Sequence, residues 1–124
     1  MICSVHTLGI TGIQGSPVVA ECYISNGLPG FDIVGLPDAA VKEAEKRVRS
    51  ACENSGFMFP PLDLCVNLAP ANLKKEGSGF DLAILTAILQ CQGILPHDMD
   101  FSDKMLVGEL SLTGEALIVQ TSKR

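Results

Sequence analysis

Two adjacent lysines, a glutamate and a glycine-rich turn stand together in the run Asn67-Leu68-Ala69-Pro70-Ala71-Asn72-Leu73-Lys74-Lys75-Glu76-Gly77. The run lies between an apolar strand-like segment, Leu62 to Leu68, and an almost wholly apolar helix-like segment, Leu82 to Cys91. Its charges therefore stand at the entrance of a buried helix, where backbone N–H groups and the helix dipole favour anions or oxyanions. Ser78-Gly79-Phe80-Asp81 follows and adds a hydroxyl. A nucleophilic serine requires a base within hydrogen-bond reach, and none is evident beside Ser78. Its lysine neighbours are adjacent in sequence only, so a Ser/Lys pair stands against a plain turn serine.

Nucleotide chemistry has a clearer requirement. A phosphate-binding loop needs glycine, four residues, then Gly-Lys-Ser or Gly-Lys-Thr. None of Lys42, Lys46, Lys74, Lys75, Lys104 or Lys123 follows a glycine. ATP hydrolysis by this chain alone is not expected. The net charge of −5 argues against strong free-standing nucleic-acid binding, which depends on neutralising phosphates. The charge is uneven, however. Lys42, Lys46 and Arg49 recur at helical spacing, and Lys74 and Lys75 form a second basic point beside Asn72. Such a stripe is more often a solvated helix face than a ligand site.

Cys3, Cys22, Cys52, Cys65 and Cys91 are odd in number, widely spaced and set among apolar neighbours. Reduced cysteine in such surroundings behaves as a small hydrophobe, which suits a reducing cytoplasm. A zinc site needs clustered ligands, whereas His6 and His97 lie far apart. With 47% hydrophobic and 19% charged residues in 124, the chain fits one globular domain with a respectable core. The apolar stretch from Leu82 to Leu89 falls far short of a membrane span of about 20 residues. No basic segment followed by an apolar one marks a secretory signal.

The elements that must position these residues follow from pattern. Ile2 to Leu8 and Pro17 to Ser25 read as strands, joined by a turn from Gly12 to Gly15. Gly-Leu-Pro occurs at residues 27–29 and 35–37, bracketing a short strand from Phe31 to Leu36. Asp38 is placed to cap an amphipathic helix from about Ala39 to Asn54, with Glu43–Arg47 and Glu45–Arg49 as i,i+4 pairs. Gly56 closes it in a left-handed conformation. The strand Leu62 to Leu68 comes next, then a helix capped by Asp81, apolar all round and hence buried, ending near Gly93. Met105 to Leu112 and Ala116 to Val119 complete an order β-β-β-α-β-α-β-β. Hairpins preceding helices predict an α+β fold with a mixed sheet and two main helices. The end, Gln120 to Arg124, has no closing element after its strand, which suggests one domain, 1–124, cut from a longer protein.

Several motifs carry a family resemblance. They are Gly27-Leu28-Pro29-Gly30, Val34-Gly35-Leu36-Pro37-Asp38-Ala39-Ala40-Val41-Lys42-Glu43, Arg47-Val48-Arg49-Ser50-Ala51, Asn54-Ser55-Gly56-Phe57, the Asn67–Gly77 run, and Leu106-Val107-Gly108-Glu109-Leu110-Ser111-Leu112. Over nearly its whole length the chain resembles the N-terminal domain of the YifB/ComM family, the magnesium-chelatase-like AAA+ ATPases of bacteria. The resemblance implies a Lon-protease-like domain, of the ribosomal protein S-five second-domain type, ahead of an ATPase module absent here. It implies ATP and magnesium for that missing module and no cofactor for this chain. It also implies a cytoplasmic, ring-forming motor acting in DNA branch migration during natural transformation. The expected partners are the protein's own ATPase module, other subunits of the ring and DNA, but no membrane.

The departures from related Lon peptidases matter. Their Lys-Asp-Gly-Pro-Ser-Ala-Gly turn, laid over Lys75 to Asp81, puts the nucleophile on Gly79, not Ser78. Their catalytic lysine falls at or beyond the end of this chain, past Leu110-Ser111-Leu112-Thr113-Gly114. Ala83 stands where the YifB/ComM family usually has proline, a change confined to the first helical turn. The expectation is a non-catalytic domain with no catalytic, cofactor or metal residues, serving assembly or DNA contact. Asn72, Lys74, Lys75, Lys42, Lys46 and Arg49 are the candidate contact residues. The alternatives are a Lon-like Ser/Lys peptidase using Ser78 and a magnesium-chelatase subunit of tetrapyrrole synthesis.

Overall fold

The structure, a computed structural model, describes residues 2–11 and 14–122. Its elements are β1 (Ile2–Thr11), β2 (Gln14–Ser25), β3 (Gly30–Val34), α1 (Asp38–Asn54), β4 (Asp63–Ala69), α2 (Asp81–Cys91), β5 (Lys104–Leu110) and β6 (Ala116–Ser122). The expected α+β class and element order hold. A four-stranded mixed sheet runs β1-β2-β4-β3, with β3 and β4 parallel and the other neighbours antiparallel. β5 and β6 form a separate antiparallel pair.

The period-2 geometry of strands sorts the sheet's side chains. Cys3, Val5, Val18, Ala20, Cys22, Phe31, Ile33, Leu64, Val66 and Leu68 all turn inward and are buried. Against them lies α2, whose residues are buried except for the half-buried Leu82. It touches β1, β2, β5 and α1, so a helix apolar all round has an apolar neighbour on each side. α1 buries only Ala44, Val48, Ala51 and Cys52, as an amphipathic helix should.

The differences from the sequence reading are local. β1 and β2 run closer together than the turn expected at Gly12 to Gly15, since Gln14 and Gly15 belong to β2; Gly12 and Ile13 lie outside the described residues. Pro17 is tolerated in β2 because β4 pairs with that strand only from Val19 onward. β3 stops at Val34, because Gly35 takes φ +108° and turns the chain. β5 ends at Leu110, where Ser111, Thr113 and Glu115 begin a hydrogen-bonded turn.

Neither expected aspartate cap forms. Pro37 and Phe80 precede the two helices, and Asp38 and Asp81 occupy their first turns without a side-chain cap bond. There the negative charge still complements the helix dipole. Gly56 has the expected positive φ. All five cysteines are unbridged, four of them buried and Cys65 half-buried.

Candidate functional site

The loop after β4 turns back on itself around Lys75. That side chain is 3% exposed, and its Nζ donates to the carbonyls of Pro70 and Leu73. Burial pushes its pKa below the ordinary lysine value. Two of the three N–H groups of its ammonium are thus held within the loop. The cause is local: the loop leaves two carbonyls without strand or helix partners, and a buried ammonium meets both. Asn72 and Lys74 are exposed, as expected.

The exposed part of the loop faces the start of α1. A shallow cleft of about 400 Å³ is lined by Ala71, Asn72, Leu73, Lys74 and the buried Lys75 of the loop, and by Gly35, Leu36 and Pro37. The structure thus brings Asn72 and Lys74 to the second Gly-Leu-Pro turn. Gly35 makes this possible, because a Cβ there would lie 2.7 Å from the Leu68 carbonyl oxygen.

Lys42, Lys46 and Arg49 are exposed on α1. Arg49 is engaged, with its guanidinium 4.3 Å from the centre of the Phe59 ring. The helix also carries Asp38, Glu43, Glu45 and Glu53, so Lys42 and Lys46 stand in a mixed face and not a continuous basic track. Glu45 is pushed up by burial and by Asp32, against the pull of Arg49 and Lys42.

A second constellation surrounds the entry to α2. Arg47 turns inward and gives Asp81 a two-pronged bond, Nε to Oδ2 at 2.6 Å and Nη2 to Oδ1 at 3.1 Å. Leu110 N–H donates to the same Oδ2 at 3.2 Å. One carboxylate, 1% exposed, thereby ties α1, α2 and β5 together. Burial pushes Asp81 up, opposed by the Arg47 and Leu110 bonds, while the Asp81 bond holds the guanidinium charged. The expected Glu43–Arg47 pair gives way because a buried carboxylate rewards the guanidinium more than an exposed one.

Beside this lock, Ser78 Oγ donates to Glu109 Oε1 at 2.6 Å in an exposed contact. Both line a cleft of about 250 Å³ with Ala40, Glu43, Arg47 and Gly77. The serine therefore has a carboxylate partner that sequence spacing did not reveal, while Lys75 bonds elsewhere. The Ser78–Lys75 pair needed by a Ser/Lys peptidase is not assembled. The only signal in the sequence for the lock was an acid opening an otherwise apolar helix, since a buried carboxylate demands a partner. No group of histidine, cysteine, aspartate and glutamate with metal-binding geometry occurs among the described residues. No described helix is long and apolar enough to cross a membrane.

Comparison with known proteins places this architecture. A family model described as subunit ChlI of Mg-chelatase matches residues 20–122. The chain belongs to that family. It is 49% identical over 110 residues to the YifB protein of Salmonella typhimurium, covering 89% of this chain and 22% of that protein. It is 46% identical over 113 residues to the competence protein ComM of Haemophilus influenzae, covering 90% of this chain and 22% of that one. A Mycobacterium tuberculosis relative, Rv2897c, is 42% identical over 108 residues, or 87% of this chain and 21% of the relative. The resemblance to the YifB/ComM family is borne out, and the chain spans about a fifth of the length of these relatives.

Proposed function

We propose that this chain is a non-catalytic, Lon-protease-like domain of a YifB/ComM-type AAA+ ATPase, serving ring assembly or DNA contact. The observation that carries the reading is its 46% identity, over nine-tenths of the chain, to a protein named for competence. On this reading the full protein is cytoplasmic and acts in DNA branch migration during natural transformation. ATP and magnesium belong to an ATPase module outside this chain. Its partners are that module, the other subunits of a homo-oligomeric ring, and DNA.

The free cations favour one DNA-facing surface. Lys74 and Asn72 flank the cleft at the start of α1, with Lys42 and Lys46 exposed along that helix. Lys75 is withdrawn into the loop, and Arg49 is partly committed to Phe59. The bonding of Lys75 to carbonyls, and of Ser78 to Glu109, supports a non-catalytic role over a Ser/Lys peptidase. The test is duplex and single-stranded DNA binding at low salt by the full ring and by this chain, wild type against Lys42→Glu/Lys74→Glu. Weakened binding is expected in both. Equal binding by wild type and variant removes this surface, and no binding even by the full ring leaves assembly as the domain's role.

The family description itself favours a second reading, a magnesium-chelatase subunit of tetrapyrrole synthesis. Magnesium insertion into a porphyrin, dependent on the full protein and ATP, would establish that reading in place of the first.

A further inference from the structure

Cys3 on β1 stands directly opposite Cys22 on β2, in an antiparallel ladder whose register runs unbroken from the Ile2–Tyr23 pair to the Thr11–Gln14 pair. Residues paired in this way have Cα atoms about 4.5–5.5 Å apart and side chains on the same face of the sheet. Here that face is the core side, where Cys3 is 7% and Cys22 0% exposed. A disulfide needs Cα atoms about 4.4–6.8 Å apart, so the strand pairing itself holds the two sulfurs within bridging range. Cys91, the last residue of α2, comes to the same place but turns its Sγ to the Cys22 carbonyl oxygen at 3.5 Å. Cys52 is on α1, and Cys65 pairs with Tyr23 on the opposite face of the sheet.

The pair is not sealed. Cys3 lines a groove of about 330 Å³ whose walls include His6, Gln90, His97 and Asp100. A small oxidant thus reaches one residue of the pair from solvent, while the other lies behind it in the ladder. We propose that Cys3 and Cys22 form a peroxide-oxidisable dithiol, in which peroxide meets Cys3 through the groove and Cys22 closes a cross-strand disulfide.

The chemistry balances with hydrogen peroxide as the oxidant. The Cys3 sulfur, having lost its proton, attacks one peroxide oxygen; the O–O bond breaks, the leaving oxygen takes up a proton as water, and a sulfenic acid remains. The Cys22 sulfur, deprotonated in its turn, attacks the Cys3 sulfur; the S–O bond breaks, and the oxygen departs as a second water. Two thiols lose two electrons to one peroxide. Burial holds Cys3 mainly as the thiol at neutral pH, with its pKa raised to about 11, so the site oxidises slowly. Once formed, the bridge fixes β1 to β2 covalently and constrains the unfolded chain between them.

The test is peroxide treatment of the folded chain, followed by alkylation of remaining thiols under denaturing conditions, intact mass and non-reducing peptide mapping. Cleavage after glutamate puts every cysteine on its own peptide, because Glu21, Glu43, Glu53 and Glu76 fall between successive cysteines. The expected product is monomeric, lighter before alkylation by about two hydrogens, and contains a Cys3–Cys22 linked peptide that dithiothreitol separates. The link should survive Cys91→Ala and vanish in Cys22→Ala, with far-UV circular dichroism confirming that each variant folds. Oxygen addition without a link, a main link from Cys3 to Cys91, Cys52 or Cys65, a disulfide-bonded dimer, or loss of the link in a folded Cys91→Ala variant each overturns the proposal. If either variant does not fold, the wild-type peptide map alone decides.

Discussion

Replacing Arg47 by methionine keeps most of the aliphatic stem on α1 and removes the guanidinium. Asp81, 1% exposed, then retains a single donor, the Leu110 N–H at 3.2 Å. Breaking a buried pair by deleting one partner costs about 3–5 kcal/mol, because a desolvated charge is left behind. The Arg47 side chain is 21% exposed, so water reaches its end of the pair and the cost falls near the lower limit, about 3 kcal/mol. For a domain of this size that lowers the melting temperature by roughly 10 °C. Lys104→Met is the control, since its pair with Asp103 is 3.5 Å long with side chains 40% and 63% exposed; a change below about 1 kcal/mol is expected there.

The pH dependence separates a stranded charge from lost packing. Burial holds Asp81 above its ordinary value of 3.8, and the guanidinium that opposes this is gone in Arg47→Met. A carboxyl whose folded pKa is raised binds its proton more tightly when folded. Its penalty is therefore absent below the unfolded value and complete above the folded one. The deficit of Arg47→Met relative to wild type should thus be smaller near pH 3.8 than at pH 8. Asp81→Asn, which keeps an acceptor for Leu110 and strands no carboxylate, should cost less than Arg47→Met. The double variant should be milder than the sum by more than 1 kcal/mol, roughly the scale of coupling in a shared network. The chain has no tryptophan and one tyrosine, so urea unfolding is followed by far-UV circular dichroism. A deficit below about 1 kcal/mol, or one equal at both pH values, refutes the reasoning.

Three further outcomes are expected. Gly35→Ala, at φ +108° with its Cβ 2.7 Å from the Leu68 oxygen, should cost about 2–3 kcal/mol more than Gly56→Ala, at φ +90° with nothing within 4 Å; equal urea midpoint shifts would refute the clash. Lys75→Met should cost about 1–3 kcal/mol by leaving the Leu73 carbonyl unmet and the Pro70 carbonyl with only the 3.4 Å Leu73 N–H, while Lys74→Met stays within about 0.5 kcal/mol. Burial raises Cys3 from 9.0 to about 11 and also raises Cys22, so stability is intact below pH 9 and falls as pH climbs through 11. Melting curves of wild type against Cys3→Ala/Cys22→Ala, whose decline should be shallower, check this.

Periodicity carried most of the fold. The β-β-β-α-β-α-β-β order, the buried α2 and the half-buried α1 all follow from apolar spacing, because burial of one face is what the period encodes. Pairing partners were less legible. Whether Arg47 pairs with Glu43 on its own helix or with Asp81 across the core depends on how α1 crosses α2, and a sequence of spacings contains no crossing geometry. Lys75 posed the same difficulty in reverse. Two adjacent lysines look alike in sequence, yet the loop sends one outward and folds the other onto its own carbonyls. Ser78 lacked a base among its neighbours in the chain because its partner, Glu109, is on β5.

This division of the lysines limits what one copy can do on DNA. With Lys75 withdrawn, the exposed cations of the proposed surface are Lys42, Lys46, Lys74 and the ring-stacked Arg49. Engaging all four would give a logarithmic salt slope of roughly 3.6, at about 0.9 for each phosphate neutralised. Acids on the same helix, Glu43 and Glu45 among them, work against even that number. A weak electrostatic contact of this kind gains strength when repeated, because a second copy held on the same duplex binds at high effective concentration. On the proposed reading, in which a ring supplies the affinity, the mixed face of α1 limits each domain to a light, readily broken contact.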